Sequence, residues 1–222
     1  DVHTHDDNAV LKNPECLPKI SQGVTTVIVG NCGLSVAPVR LNNDPPDPLN
    51  LLGAQKDFSF PTFKSYVDEV NNVHPAVNVA ALVGHTSLRV NHMQDLYLEA
   101  SVAELEGMQK ELDQCLQEGA IGLSTGLAYG TAKASSTAEV ATLAKVLGKN
   151  GGVYVTHLRN EFDQVIEAIE EAFSIAEGGD IPLIISHLKC AGPKNWGRSG
   201  ELLRFIENSS YSHRVHMDCY PY

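Results

Sequence analysis

GVYVTHLRNEFDQVIEAIEEAFSIAEGGDIPLIISH, residues 152–187, reads as one strand–helix–strand unit. Val153 to Thr156 is a short β-branched and aromatic run that stops at His157. Phe162 to Ala176 then carries apolar residues at helical spacing, closed by Gly178 and Gly179. Leu183 to Ser186 is a second apolar run, and it stops at His187. Near-continuous apolar strands alternating with helices mean a parallel sheet covered on both faces. The residue that ends such a strand stands on the face where parallel α/β barrels place their active sites.

The same rhythm extends outward in both directions. Val24 to Val29 is a buried-strand run ended by Gly30. Val77 to Val83, the weaker Ala120 to Ser124, and Val215 to Cys219 follow. Between them, Val102 to Glu118 sets Leu105, Met108, Leu112, Cys115 and Leu116 at helical spacing. Thr137 opens a helix running to about Leu147, with Gly148 near its end, and Glu201 to Glu207 makes a shorter one. With the segment that feeds His3 and His5, about seven strand positions result, one short of a TIM-type (β/α) barrel of eight. The chain opens on Asp1-Val2-His3-Thr4-His5 without Met and ends on Asp218-Cys219-Tyr220-Pro221-Tyr222, so it reads as part of a longer protein. The eighth strand is expected after Tyr222 and part of the first before Asp1. Residues 1–222 are read as a single domain, with 37–61, containing Pro38, Pro45, Pro46, Pro48 and Pro61, as a loop excursion over the active face.

Composition narrows the function classes. Apolar residues make up 43% of the 222, an ordinary globular share. A net charge of −11 with scattered Lys and Arg argues against a nucleic-acid or anionic-membrane surface. No apolar run approaches a membrane span and no signal peptide is visible. The five cysteines are odd in number, widely spaced and without a CxxC, a pattern that fits free thiols in a reducing, cytoplasmic compartment. There is no dinucleotide fingerprint, no P-loop, and no nucleophile elbow around Ser124.

What remains is a set of histidines and one cysteine at strand ends. His3 and His5 are two apart on a strand-like segment, so both point to one face and both can bind one ion. Asp1, Asp6 and Asp7 are compatible with support for those rings. A bare His-x-His is equally at home in a hydrogen-bonded polar cluster. Cys32, in Gly30-Asn31-Cys32-Gly33, follows a strand between glycines that let the chain turn sharply. Its thiolate would be a strong Zn²⁺ ligand, although buried, inert cysteines are common. His157 and His187 end consecutive strands, and with His-x-His on another strand they point to a shared metal. His85 also ends a strand and is open to a supporting, substrate-binding or structural role. Lys189 follows His187 on the same side and suits a carboxylate-bearing substrate. Tyr220 ends the last strand and can donate a hydrogen bond to the same anion. Asn195-Trp196-Gly197 offers a cover for the pocket, and Arg159 and Glu161 form either an orienting pair or a surface pair.

At this point the chain resembles the amidohydrolase superfamily, and within it the N-acyl-D-amino-acid deacylases (D-aminoacylases). The matching segments are DVHTHDD (1–7), GVTTVIVGNCG (23–33), GHTSLR (84–89), GLSTGLAYG (122–130), THLRNE (156–161), SHLKCAG (186–192), NWG (195–197) and DCYPY (218–222), which together span the chain. The resemblance implies Zn²⁺: one ion held tightly by Cys32, His157 and His187, and a second, weaker site at His3 and His5 with Cys32 shared. It implies that Lys189 and Tyr220 hold the α-carboxylate of a small-molecule N-acyl-D-amino acid. It implies hydrolysis of the amide bond to a carboxylic acid and a D-amino acid. The general base of the superfamily is an aspartate ending strand eight, expected beyond Tyr222, and the family's β-sandwich has no counterpart here. Residues 1–222 alone are therefore expected to bind zinc with little or no turnover. Alternative readings are a cyclic-amide hydrolase of the dihydroorotase or hydantoinase type, a phosphoesterase of the polymerase-and-histidinol-phosphatase type, and a non-catalytic metal-binding domain.

Overall fold

A computed structural model of the chain describes residues 1–219. The strands are parallel and lie side by side in sequence order, as alternating strand and helix require. β1 (Thr26–Val29) pairs with β2 (Asn78–Ala81), Thr26 opposite Asn78 and Val29 opposite Ala81. β3 (Val83–Gly84), β4 (Gly122–Gly126), β5 (Val153–His157), β6 (Leu183–Ile185) and β7 (Val215–Met217) form a second sheet in that order. β2 and β3 are one line of chain interrupted at Leu82. The N–H of Leu82 still bonds Val29 O at 3.0 Å, and Ile121 N–H bonds Ala81 O at 3.0 Å, so the two sheets are continuous through it. The opening segment joins the other edge: Thr4 N–H to Ile28 O is 3.1 Å and Ile28 N–H to Asp1 O is 3.0 Å.

The helices cover this sheet. α1 (Ala9–Lys12) and α2 (Leu17–Ile20) are short, and α3 (Phe63–Val73) and α4 (His85–His92) precede the longer pieces. α5 (Val102–Gln117) begins at a capping box: Glu104 N–H reaches Ser101 Oγ, and Ser101 N–H reaches Glu104 Oε2 at 2.7 Å. α6 (Gly130–Lys133), α7 (Thr137–Asn150), α8 (Val165–Gly179) and α9 (Ser199–Glu207) follow. The sequence places the end of one helix before Gly178 and Gly179 and of another near Gly148, but these glycines lie inside α8 and α7. A Cβ on Gly148 would meet Gly179 O at 2.1 Å, so this pair lets the two helices touch backbone to backbone. Asp180, at φ +52°, caps α8 in its place.

Two apolar clusters fill the interior. One, with Leu123, Leu143, Tyr154, Ile169 and Leu183, lies between the larger sheet and α5, α7 and α8. The other joins Val27 and Val29 to Val10 and Tyr66, and the excursion 37–61 adds Leu49, Leu52, Phe58 and Phe60 to it. The excursion is thus packed chain with its own buried face.

Two arginines, one buried and one half-buried, organise the segment after β4. Arg89 is fully buried and grips both carboxylate oxygens of Glu139 at 2.6 and 2.8 Å; it also donates to the carbonyls of Thr131, Leu96 and Leu98. Arg159 pairs with Glu171 at 2.8 Å and donates to the carbonyls of Lys133 and Ser135, both at 3.0 Å. The turn 131–135 is therefore clamped from both sides by charge-assisted, geometrically fixed bonds.

Candidate metal centre

The opening segment, the turn after β1, and the ends of β5, β6 and β7 meet at one cavity of about 710 Å³. His3, His5, Cys32, Tyr129, His157, His187 and Asp218 line it, and no residue of 37–61 does.

Cys32 is placed by a braced turn. Gly30 and Gly33 lie at φ +79° and +78°, and Cys32 between them at φ +55°. Ser124 on β4 straps the turn: its Oγ–H donates to Gly30 O at 2.5 Å and its oxygen accepts Gly33 N–H at 2.9 Å. Asp7 holds the outer side, accepting the N–H groups of Gly30 and Val36, both at 3.3 Å. Burial lifts the Asp7 carboxyl to about 7. Of the three aspartates expected to support the histidines, Asp1 accepts the main-chain N–H of His3 at 3.3 Å and shares Lys19 with Asp6 at 2.9 and 2.8 Å, while Asp7 braces the cysteine turn. Gly126 ends β4 where a Cβ would strike Cys32 O at 2.3 Å and the Tyr129 ring at 2.5 Å.

Around this sulfur the donors converge. His3 Nε2 is 3.2 Å from Cys32 Sγ, and His187 Nε2 is 3.5 Å from it. The ligand atoms of His3, Cys32 and His187 all lie within 4.8 Å of one another. A second trio, His157, Glu161 and His187, meets the same limit and shares His187. The ring centroids of His157 and His187 are 4.5 Å apart, edge to face, and His5 stands 5.7 Å from His3 outside both trios.

Carboxylates lie behind the rings. Asp218 Oδ2 is 3.2 Å from His3 Nδ1, and its Oδ1 accepts the main-chain N–H of His187 at 2.7 Å. An anion on Nδ1 keeps the proton there and turns the Nε2 lone pair toward the sulfur. Glu161 Oε1 is 2.9 Å from His187 Nδ1 and accepts Lys189 Nζ–H at 2.6 Å. Burial pushes both carboxyls upward, but the histidine bonds, aided by Lys189 at Glu161, outweigh it and hold them below their ordinary values.

The electrostatics suit a cation. Burial, reinforced by neighbouring imidazoles, lowers His5 and His157 to about 4, so both are neutral donors at pH 7. Burial, reinforced by Asp218 and Glu161, pushes the Cys32 thiol up to about 12. Without a cation the sulfur keeps its proton; a coordinated divalent ion reverses that preference. Neutral imidazole nitrogens with a thiolate are the donor set zinc takes, so the residues present fit the ion.

Comparison with known proteins agrees. A family model described as "Amidohydrolase family" matches residues 1–214. The chain belongs to the amidohydrolase family. This amidohydrolase chain is 46% identical over 223 residues to the N-acyl-D-aspartate deacylase of Alcaligenes xylosoxydans xylosoxydans, covering 100% of itself and 45% of that protein. A solved structure of D-aminoacylase, described for a binuclear metal centre with one-metal activation and second-metal attenuation, superposes with a TM-score of 0.97 at 46% identity, covering 100% of this chain and 47% of that one. An N-acyl-D-glutamate deacylase structure from Bordetella bronchiseptica, complexed with zinc and a phosphonate mimic of the tetrahedral intermediate, gives 0.93 at 40% identity with the same coverage. The chain spans about half the length of the relatives it matches. The N-acyl-D-amino-acid deacylase resemblance read from the motifs is thereby established.

The remaining candidate residues lie behind this centre, away from it or outside the described residues. Lys189 is bound to Glu161, with its Nζ also 2.8 Å from His187 Nδ1. Arg159 and Glu161 are not a pair: the first bonds Glu171, the second the histidines. His85 heads α4, wholly buried, with Nε2 on Glu139 at 2.8 Å, a structural place. Trp196 lies exposed on its loop and does not line the cavity, while Asn195 ties that loop to Asp163 at 2.9 Å. Tyr220 lies outside the described residues. The sequence reading missed Asp218, which ends a strand-like run just as the histidines do, and Tyr129, a glycine-flanked aromatic after β4 whose OH is 3.4 Å from His157 Nδ1.

Proposed function

We propose that these residues form the metal-binding part of a zinc-dependent deacylase that hydrolyses N-acyl-D-amino acids to a carboxylic acid and a D-amino acid. What carries this reading is the convergence of His3 Nε2, Cys32 Sγ and His187 Nε2 in a member of the amidohydrolase family. Cys32, His157 and His187 would hold the tighter ion, and His3 and His5 a weaker second one with Cys32 shared. When bound, zinc polarises an acyl carbonyl and brings the pKa of water from about 15.7 toward 7.

The chain's own groups do the rest. Lys189 and Tyr220 anchor the substrate's α-carboxylate, with Lys189 passing from Glu161 to the incoming anion. Glu161 and Asp218 are engaged with histidines, so we assign proton transfer to an aspartate outside residues 1–222. Residues 1–222 by themselves would then bind zinc without turnover. The opening segment, β1, the β2–β3 line and β4 to β7 would be seven of the eight strands of a (β/α) barrel, with the β-sandwich outside them. Cysteines without disulfides support a reducing, cytoplasmic location; no helix among the described residues is long and apolar enough to cross a membrane.

The test is turnover by the protein its complete reading frame encodes. N-acetyl-D-amino acids should be hydrolysed, with their L-enantiomers and hydantoins left intact. Preferential opening of the cyclic imides would replace this reading with that of a cyclic-amide hydrolase.

A further inference from the structure

Asp218 is the one carboxylate among the described residues that bonds both histidines flanking Cys32 in the sulfur-centred trio. It stands just past β7, at the far edge of the larger sheet, while His3 belongs to the opening segment at the other end of the strand order. Its Oδ2 reaches across that seam to His3 Nδ1 at 3.2 Å. Its Oδ1 takes the main-chain N–H of His187 at 2.7 Å, and His187 lies at φ +37°, where a residue with a Cβ needs outside support. The two oxygens therefore act separately, one selecting a ring tautomer and the other fixing a backbone.

We propose that Asp218 is a positioning residue of the metal centre, holding His3 with its Nε2 lone pair toward Cys32 while pinning the strained turn that presents His187. The proposal rests on the metal-binding reading above. In Asp218→Asn the side-chain oxygen can still accept the His187 N–H, but an NH₂ group now faces His3 Nδ1. That ring must accept there, so its proton moves to Nε2, and His3 presents N–H to the sulfur instead of a lone pair.

The experiment titrates Co²⁺ alone into the protein its complete reading frame encodes and follows the near-ultraviolet thiolate-to-cobalt absorption. Wild type should show this band and Cys32→Ala should lack it; a wild type without it overturns the metal reading and this proposal together. Asp218→Asn should weaken binding of the second, weaker Co²⁺ equivalent, the one His3 would hold, by about 10- to 100-fold, the usual cost of losing a partner behind a ligand. In a His3→Ala background the same substitution should cost little, because the ring it misdirects is already gone. Asp218→Ala should still weaken binding in that background, since His187 N–H then loses its acceptor. Wild-type-like binding by Asp218→Asn, or an equal loss in both backgrounds, overturns the proposal and leaves the metal reading standing. Should the variants fail to fold, ¹⁵N NMR of metal-free wild type decides: His3 with its proton on Nδ1 supports the proposal, and a proton on Nε2 overturns it.

Discussion

His3 Nε2 and Cys32 Sγ lie 3.2 Å apart, although 29 positions separate them in the chain. The contact exists because the opening segment pairs with β1 and the turn after β1 folds back beneath it. A nitrogen lone pair and a thiol at that distance form a hydrogen bond in the metal-free protein and a half-built coordination sphere for zinc.

Removing Cys32, or His187 whose Nε2 lies 3.5 Å from its sulfur, should empty that sphere. Cys32→Ala and His187→Ala are each expected to reduce zinc per chain to background by elemental analysis after dialysis. Unchanged stoichiometry in both variants would defeat the ligand assignment.

Ser124→Ala should act on the metal without touching it. The substitution strips the acceptor from Gly33 N–H and the donor from Gly30 O, both buried. Leaving such groups unsatisfied costs about 1–3 kcal/mol, readable as a lower midpoint in urea unfolding. Zinc affinity should fall as well, because the turn that carries Cys32 loses its strap; unaltered affinity would mean that the remaining braces suffice.

The Arg89–Glu139 pair sets an acid limit on stability. Burial pushes Glu139 up, but the His85 hydrogen bond and the Arg89 guanidinium overcome it and hold the carboxyl at about 2, against an ordinary 4.5. A folded-state value below the unfolded one gives stabilisation that is complete above about 4.5 and disappears as the pH falls through about 2. Glu139→Gln should remove that dependence. It should also cost about 3–5 kcal/mol at neutral pH by leaving Arg89 buried without its anion. Thermal melts of both proteins from pH 7 to 2 check this, and parallel pH curves would count against it.

Lys189→Met should raise KM for N-acyl-D-amino acids. A hydrogen bond to a charged group contributes about 1.5–3 kcal/mol, so an increase of roughly 10- to 100-fold is expected. Neutral amides of the same substrates should show little change. A drop confined to kcat would move Lys189 from substrate anchoring to the chemical step.

The strand order, the parallel sheet and the convergence at the cavity were legible because strand ends are marked by apolar runs stopping at His157 and His187. Cys32 was legible for a similar reason, its glycines announcing a turn. Asp218 was not, because its contact with His3 spans 215 positions that no local pattern encodes; Glu161 was read only as a partner of Arg159, although it faces His157 four residues before it and His187 across 26 positions. Gly178 and Gly179 misled, since a glycine that lets helices touch looks in sequence like one that stops a helix. His85 also ends a strand, yet burial and Glu139 take it away from the cavity, so strand-end position alone does not select a ligand.

Cys32 and His187 both occupy left-handed backbone, at φ +55° and +37°. For a residue with a side chain that conformation lies about 1–2 kcal/mol uphill, and glycine alone escapes the cost. Chemistry and conformation thus select opposite residues at the same two positions. Cys32→Gly should yield a chain more resistant to heat when metal-free and unable to retain zinc, which makes these turns points where selection for robustness alone would remove the sulfur from the cavity.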